Sequence, residues 1–228
     1  MYLKESEFAE LKGKIQQMGV LVEDAVRNSV ISLLERDVEH AKKIRDGDVI
    51  INTFDNELDE YCIKLIALRQ PVAKDLRLIT TAMKITTDLE RIADNAANIA
   101  NRTVELAEER YIAAHISFPI LRDITCGMVR DAVESFVKED KSLAFDVMSR
   151  DKEVDTINEK VLHDLITMML NDCDSSIPVT KLSYISRYLE RIGDHATNIA
   201  EMVIYMIEGQ MIKHKADKDS FNINALNQ

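Results

Sequence analysis

The chain has 228 residues, 46% hydrophobic and 30% charged, enough apolar material for a buried core and too much charge for a membrane-spanning protein. Forty acidic against 29 basic residues give a net charge of −11. Such a field repels a phosphate backbone, which argues against nucleic-acid binding, and favours cations or basic partner surfaces. No run of 18 apolar residues occurs, and the opening MYLKESEFAELKGK lacks a signal-peptide core, so a cytoplasmic chain is expected.

Six glycines, three prolines and no tryptophan, beside abundant Leu, Ile, Ala, Glu and Lys, make a helical composition. Apolar periodicity predicts six helices, at about 4–36, 38–69, 72–110, 118–138, 141–171 and 179–213. Pro71, Pro119 and Pro178 each stand where a helix is expected to begin, the one place that tolerates a missing N–H. The connections near 36–37 and 139–140 are short enough for antiparallel neighbours. Beyond them, 214–228 is a polar tail without an apolar stripe, expected to fray.

The strongest internal signal is a repeat. Residues 89–100 read LERIADNAANIA and residues 189–200 read LERIGDHATNIA, with nine of twelve positions identical at an offset of 100. A weaker echo at an offset of 103 pairs Asp48, Asn52 and Thr53 with Asp151, Asp155 and Thr156. The expected architecture is therefore all-α: two tandem three-helix bundles, 1–110 and 111–213, followed by the tail.

Each repeat carries a core stripe and an acidic row. Leu78, Ala82, Ile85, Leu89, Ile92, Ala96 and Ile99 alternate by three and four, as do Ile185, Leu189, Ile192, Ala196, Ile199, Val203 and Met206, while Tyr184 departs. Glu90, Asp94 and Asn98 stack at spacing four on another face, and Glu190, Asp194 and Asn198 repeat them. These carboxylates are expected to be accessible. On the preceding helices Asp48, Asn52, Asp55 and Asp59 run beside the core line Ile51, Phe54, Leu58, Tyr61, Leu65 and Leu68. Asp151, Asp155 and Glu159 run beside Val154, Ile157 and Val161.

Like charges at this spacing cost a helix roughly 0.2–0.5 kcal/mol per pair. Cations between two rows offset that cost, and carboxylate ligands suit iron, manganese, magnesium, calcium or zinc. The alternative is a pair of solvated helix faces, with Arg91 and Arg191 pairing locally with acids.

Catalytic patterns are scarce. No Glu-x-x-His of the di-metal carboxylate enzymes occurs. Asp37-x-x-His40 falls at a helix junction, His195 reads as a surface histidine, and His163 has no evident partner. No Gly-rich phosphate loop or Ser-His-Asp order is visible. Arg69, Lys74 and Arg77 form the one compact basic group near a turn, equally suited to helix-end electrostatics. Cys62, Cys126 and Cys173 read as small buried apolar residues, since no C-x-x-C exists. A non-enzymatic chain is expected, with a carboxylate-bridged di-metal oxidoreductase or hydrolase as the alternative.

The repeated Leu-Glu-Arg-Ile-(Ala/Gly)-Asp with its following Asn-Ile, and the stretch Leu65-Ile66-Ala67-Leu68-Arg69-Gln70-Pro71 before Asp75-Leu76-Arg77, are similar to the PhoU family of phosphate-uptake regulators. The similarity runs from about Met18 to Gly209. It implies two tandem three-helix bundles with multinuclear metal clusters on their surface, of iron, zinc, manganese or magnesium, bound through Glu/Asp-x-x-x-Asp motifs. Those motifs fall on Asp55 with Asp59, Glu90 with Asp94, Asp151 with Asp155, and Glu190 with Asp194, extended by Asp48 and Glu159. Asn52, opposite Asp155, departs from the pattern and brings no charge. The resemblance further implies negative regulation of phosphate uptake and of the phosphate starvation response. The implied partners are the ATPase subunit of the phosphate ABC transporter and the sensor histidine kinase. It also implies a homodimer, and a cytoplasmic location at the inner membrane face held only through partners.

Overall fold

An apolar stripe along a helix must be covered by another helix, and six such stripes leave few arrangements. The computed structural model describes residues 5–110, 112 and 117–210, as α1 (Glu5–Glu35), α2 (Val38–Arg69), α3 (Lys74–Leu106), α4 (Phe118–Lys138), α5 (Lys141–Asn171) and α6 (Ser176–Glu208). A 3-10 turn, Cys173–Ser175, precedes α6. No strand occurs among the described residues. The first half is α1–α2–α3 and the second α4–α5–α6. The halves join through α3 on α6 and α1 on α4, so these four helices form a ring; α2 flanks it on α1 and α3, and α5 on α4 and α6. One continuous core runs through both halves.

The motif helices lie antiparallel at the centre. Arg77 Nε donates to the Met206 carbonyl near one end, and Lys181 Nζ donates to the Glu105 carbonyl near the other. Their stripes are fully covered: Ala82, Ile85, Leu89, Ile92, Ala96 and Ile99, with their counterparts from Ile185 to Met206, are inaccessible to solvent. At the α1–α4 crossing Gly19 lets the backbones approach, because a Cβ there would lie 2.9 Å from Val133 Cγ2.

Short connections make the hairpins. Asp37 caps α2 by accepting the His40 N–H at 2.9 Å, and Asp140 caps α5 by accepting the N–H groups of Ser142 and Leu143. The residue before each cap is left-handed without being glycine, Arg36 at φ 55° and Glu139 at φ 53°. Both side chains are anchored. Arg36 donates to the carbonyls of Leu106, Ala107 and Glu109, and Glu139 binds Lys12 and Lys74.

Several expectations need correction. Pro71 lies in the α2–α3 connection, three residues before α3, whereas Pro119 and Pro178 do sit in first turns. Helix α3 ends at Leu106 rather than 110, its last carbonyls taken by Arg36. Helix α6 begins at Ser176 and stops at Glu208, where Gly209 turns left-handed at φ 74°. Leu68 is exposed, because the next residue, Arg69, is the one turned inward, onto Glu7 of α1. Cys62 and Cys126 are buried, with thiols pushed up to about 12 by burial, but Cys173 is exposed in the 3-10 turn. The expected tail, 214–228, lies outside the described residues. No helix of the described residues is long and apolar enough to cross a membrane.

Candidate metal centres

The acidic rows face each other across helix pairs. In the first half Asp48, Asn52 and Asp55 of α2 look toward Glu90 and Asp94 of α3, all half-buried except the exposed Asp94. Burial first, then the charge of Asp94, raises the Asp48 carboxyl above its ordinary range. Asp55 is raised by burial and by Asp59, against a Thr86 hydrogen bond, and Glu90 by burial and by Asp94, Asp55 and Asp48. So Asp48, Asp55, Glu90 and Asp94 sense one another, with Asp59 at the margin.

Three oxygens here have no partner: Asp48 Oδ1, Asn52 Oδ1 and Asp55 Oδ1 are buried and accept no hydrogen bond. Asn52 meanwhile donates to Asp48 Oδ2 at 2.9 Å. Buried acceptors left bare cost roughly 1–3 kcal/mol each, and every atom in the set is a hard oxygen, the donor type that iron, manganese, magnesium and calcium take. The residues fit a cation by this chemistry. Among the described residues no three acidic, imidazole or thiolate groups already converge on one point, so the side chains must turn inward to enclose an ion.

The second half solves the same problem differently. At an offset of 103, Asp48, Asn52 and Asp55 correspond to Asp151, Asp155 and Asn158. The Asn and the last Asp have exchanged places, leaving four carboxylates per half: Asp48, Asp55, Glu90 and Asp94 against Asp151, Asp155, Glu190 and Asp194. Asn158 is buried and satisfied, donating to Glu190 Oε2 at 3.0 Å and accepting the Ser186 hydroxyl. Asp151 Oδ1 accepts from Thr197 at 3.3 Å. Burial raises Glu190 and Asp194, each helped by Asp155 and opposed by Arg187. Asp155 and Asp194 are exposed, and Glu159 points to solvent one residue beyond Asn158.

Asn158, Thr86 and Ser186 fall in step with the rows, three residues after Asp155 and four before Glu90 and Glu190, but escaped a search for carboxylates because none of them is acidic. Aligning the halves would have found the first, as the residue standing where Asp55 does. Arg91 and Arg191 are exposed and make no ion pair with a described residue; they act on Glu90 and Asp194 only through their charge. His195 is half-buried rather than free on the surface: its Nδ1 lies 2.9 Å from Asp88 Oδ1, across the α3–α6 seam. The basic group near Pro71 is spent on structure, Arg69 on Glu7, Lys74 on Glu139 and Arg77 on the Met206 carbonyl.

A family model described as the PhoU domain matches twice, over residues 15–103 and 119–203. A phosphate-specific transport system accessory protein PhoU homolog of Pseudomonas putida is 39% identical over 210 residues, covering 92% of this chain and 82% of that one. The homolog of the same name from Aquifex aeolicus is 37% identical, covering 93% and 96%. The crystal structure of PhoU from Pseudomonas aeruginosa superposes with a TM-score of 0.85 at 36% identity, covering 90% of this chain and 99% of that one. The phosphate transport system regulatory protein PhoU from Streptococcus pneumoniae gives 0.86 at 26% identity, over 92% and 99%. Both repeats of this chain thus match one domain model, and the chain belongs to the PhoU family.

Proposed function

We propose that the protein is a negative regulator of phosphate uptake and of the phosphate starvation response. It works as a helical adaptor between the phosphate ABC transporter, through the ATPase subunit, and the sensor histidine kinase of the response. Membership, over nearly the whole chain, of a family whose members are named as accessory proteins of phosphate-specific transport carries the regulatory part. On this reading it is a cytoplasmic homodimer, drawn to the inner membrane face by its partners.

The metal part rests on the bare oxygens of Asp48, Asn52 and Asp55. Asp48, Asp55, Glu90 and Asp94, with the Asn52 carbonyl, would hold one multinuclear cluster; Asp151, Asp155, Glu190 and Asp194 would hold the other, with Asp59 and Glu159 as outer ligands. Bound iron, zinc, manganese or magnesium supplies positive charge that offsets the crowding of carboxylates and clamps α2 to α3 and α5 to α6. Nothing in the rows favours the di-metal enzyme. Among the described histidines His195 is held by Asp88, His163 is exposed and His40 lies in the first turn of α2 at the Asp37 cap, so none stands in the rows.

Calorimetric titration of the chain with the transporter ATPase subunit, and separately with the cytoplasmic part of the kinase, tests the adaptor. Saturable binding at micromolar concentration to both is expected; heats of dilution alone for both contradict it.

A further inference from the structure

The two halves serve as controls for each other, and besides the exchange of Asn and Asp in the acidic rows they differ where the first two helices of each half meet. Where α4 meets α5, Arg150 of α5 crosses to α4 and binds Asp131 at 2.6 Å, lying over Gly127, whose added Cβ would come 3.3 Å from its guanidinium. Beneath it Met128 is wholly buried and reaches to 3.8 Å from the Cβ position of Gly193. The second half is closed there by its own side chains.

In the first half each of these parts is removed. At an offset of 103, Arg150 becomes Gly47, Asp131 becomes Asn28, Met128 becomes Ala25, and Gly127 becomes Asp24. A Cβ on Gly47 would meet nothing within 4 Å. The result is a groove between α1 and α2 lined by Leu21, Asp24, Asn28, Ile44, Gly47 and Ile50, with Ala93 of α3 also facing it. Its rim is apolar where the other half is charged. Val49 and Ile50 are 64% and 56% exposed, in the positions held by Lys152 and Glu153. Asp24 is exposed and makes no ion pair with any described residue.

We propose that this groove is a docking surface for an amphipathic helix of a partner protein that presents one arginine among apolar side chains. The arginine fills the space that Arg150 fills in the second half, with its guanidinium on Asp24, and neighbouring leucine-like side chains cover Leu21 and Ile50. A second copy of this chain is the poorer occupant: the groove carries Asp24 and Asp48, and a copy of net charge −11 brings a like-signed field to them. Extending the adaptor reading, the inference names a contact surface and the chemistry that fits it.

The test uses the full chain and a fluorescein-labelled helical peptide with a central Arg flanked by Leu at i−4, i−3, i+3 and i+4, beside its Arg→Glu counterpart. Fluorescence anisotropy should show saturable binding of the Arg peptide, weakened about tenfold or more by the Arg→Glu exchange in the peptide. Asp24→Asn and Ile50→Glu, both at exposed positions, should weaken it similarly. Asn28→Asp/Gly47→Arg, which installs the closure of the second half, should abolish it. No binding of the Arg peptide, or equal binding of both peptides to all variants, overturns the proposal. So does sedimentation showing that the wild type self-associates and that Ile50→Glu alone makes it monomeric, which assigns the groove to a second copy. If the peptide fails while the transporter ATPase or the kinase still binds, only the groove is lost; if it binds while both partners fail, only the adaptor reading is lost.

Discussion

Asn158 donates a 3.0 Å hydrogen bond to Glu190 Oε2 from a buried position, where the first half places Asp55 with a bare oxygen. One half of the protein thus satisfies this position with its own side chains, while the other leaves an acceptor bare. The same pairing of rows has been tuned in opposite directions by one exchange of Asn and Asp.

That contrast predicts asymmetric mutants. Asn158→Asp adds a fifth carboxylate to the α5–α6 rows, buried beside Glu190, and removes a donor, and should cost the chelator-treated protein roughly 2–4 kcal/mol. Asp55→Asn removes a carboxylate from a crowded row and should leave the chelated protein as stable or more so, while lowering its cation load. Urea unfolding with and without chelator reads both.

The pH dependence follows from the same groups. Asp48, Asp55, Glu90, Glu190 and Asp194 all titrate above their ordinary values. A carboxyl raised on folding binds its proton more tightly in the native state, so stability falls as pH rises from the unfolded value, near 4, through the raised native one. Chelated protein should therefore gain stability when acidified from pH 7 toward that window, and Glu90→Gln/Asp94→Asn should flatten the gain. Glu139 has the opposite sign, since hydrogen bonding to Lys74 leads in lowering its carboxyl. Its contribution is present above the unfolded value and disappears as pH falls through the native one.

His195 and Asp88 join the halves through side chains that are 19% and 16% exposed. A double-mutant cycle of His195→Ala and Asp88→Ala should give a coupling of about 1 kcal/mol. A coupling near zero would make the contact incidental to the α3–α6 seam.

Gly19 predicts a rescue. Gly19→Ala places its methyl against a β-branched side chain that cannot swing away, costing roughly 1–3 kcal/mol. Val133→Ala opens the space, so the double variant should recover part of the loss in a thermal melt.

Much of this was legible in the chain. The ranges of α2, α4 and α5 follow from Asp37, Asp140 and Pro119, whose capping chemistry is local, and the buried stripes follow from spacing by three and four. The acidic rows could be read from period alone. What could not be read depends on which helices touch. His195 finds Asp88 at a separation of 107 residues, and Arg69 finds Glu7 at 62; no local pattern marks either. Leu68 fits the α2 period but is exposed, because at this level of the helix Arg69 is the residue turned inward, onto Glu7. The groove at Gly47 is invisible until the halves are superposed, because a glycine announces nothing about what is missing around it.

The central claim is that the paired rows hold cations, and elemental analysis of chelator-free protein tests it most directly. The wild type should carry several metal ions per chain, with Glu90→Gln/Asp94→Asn and Glu190→Gln/Asp194→Asn each losing part of the load. A wild type free of metal, with both double variants folded and more stable, would mean that the rows are solvated faces and would contradict the account.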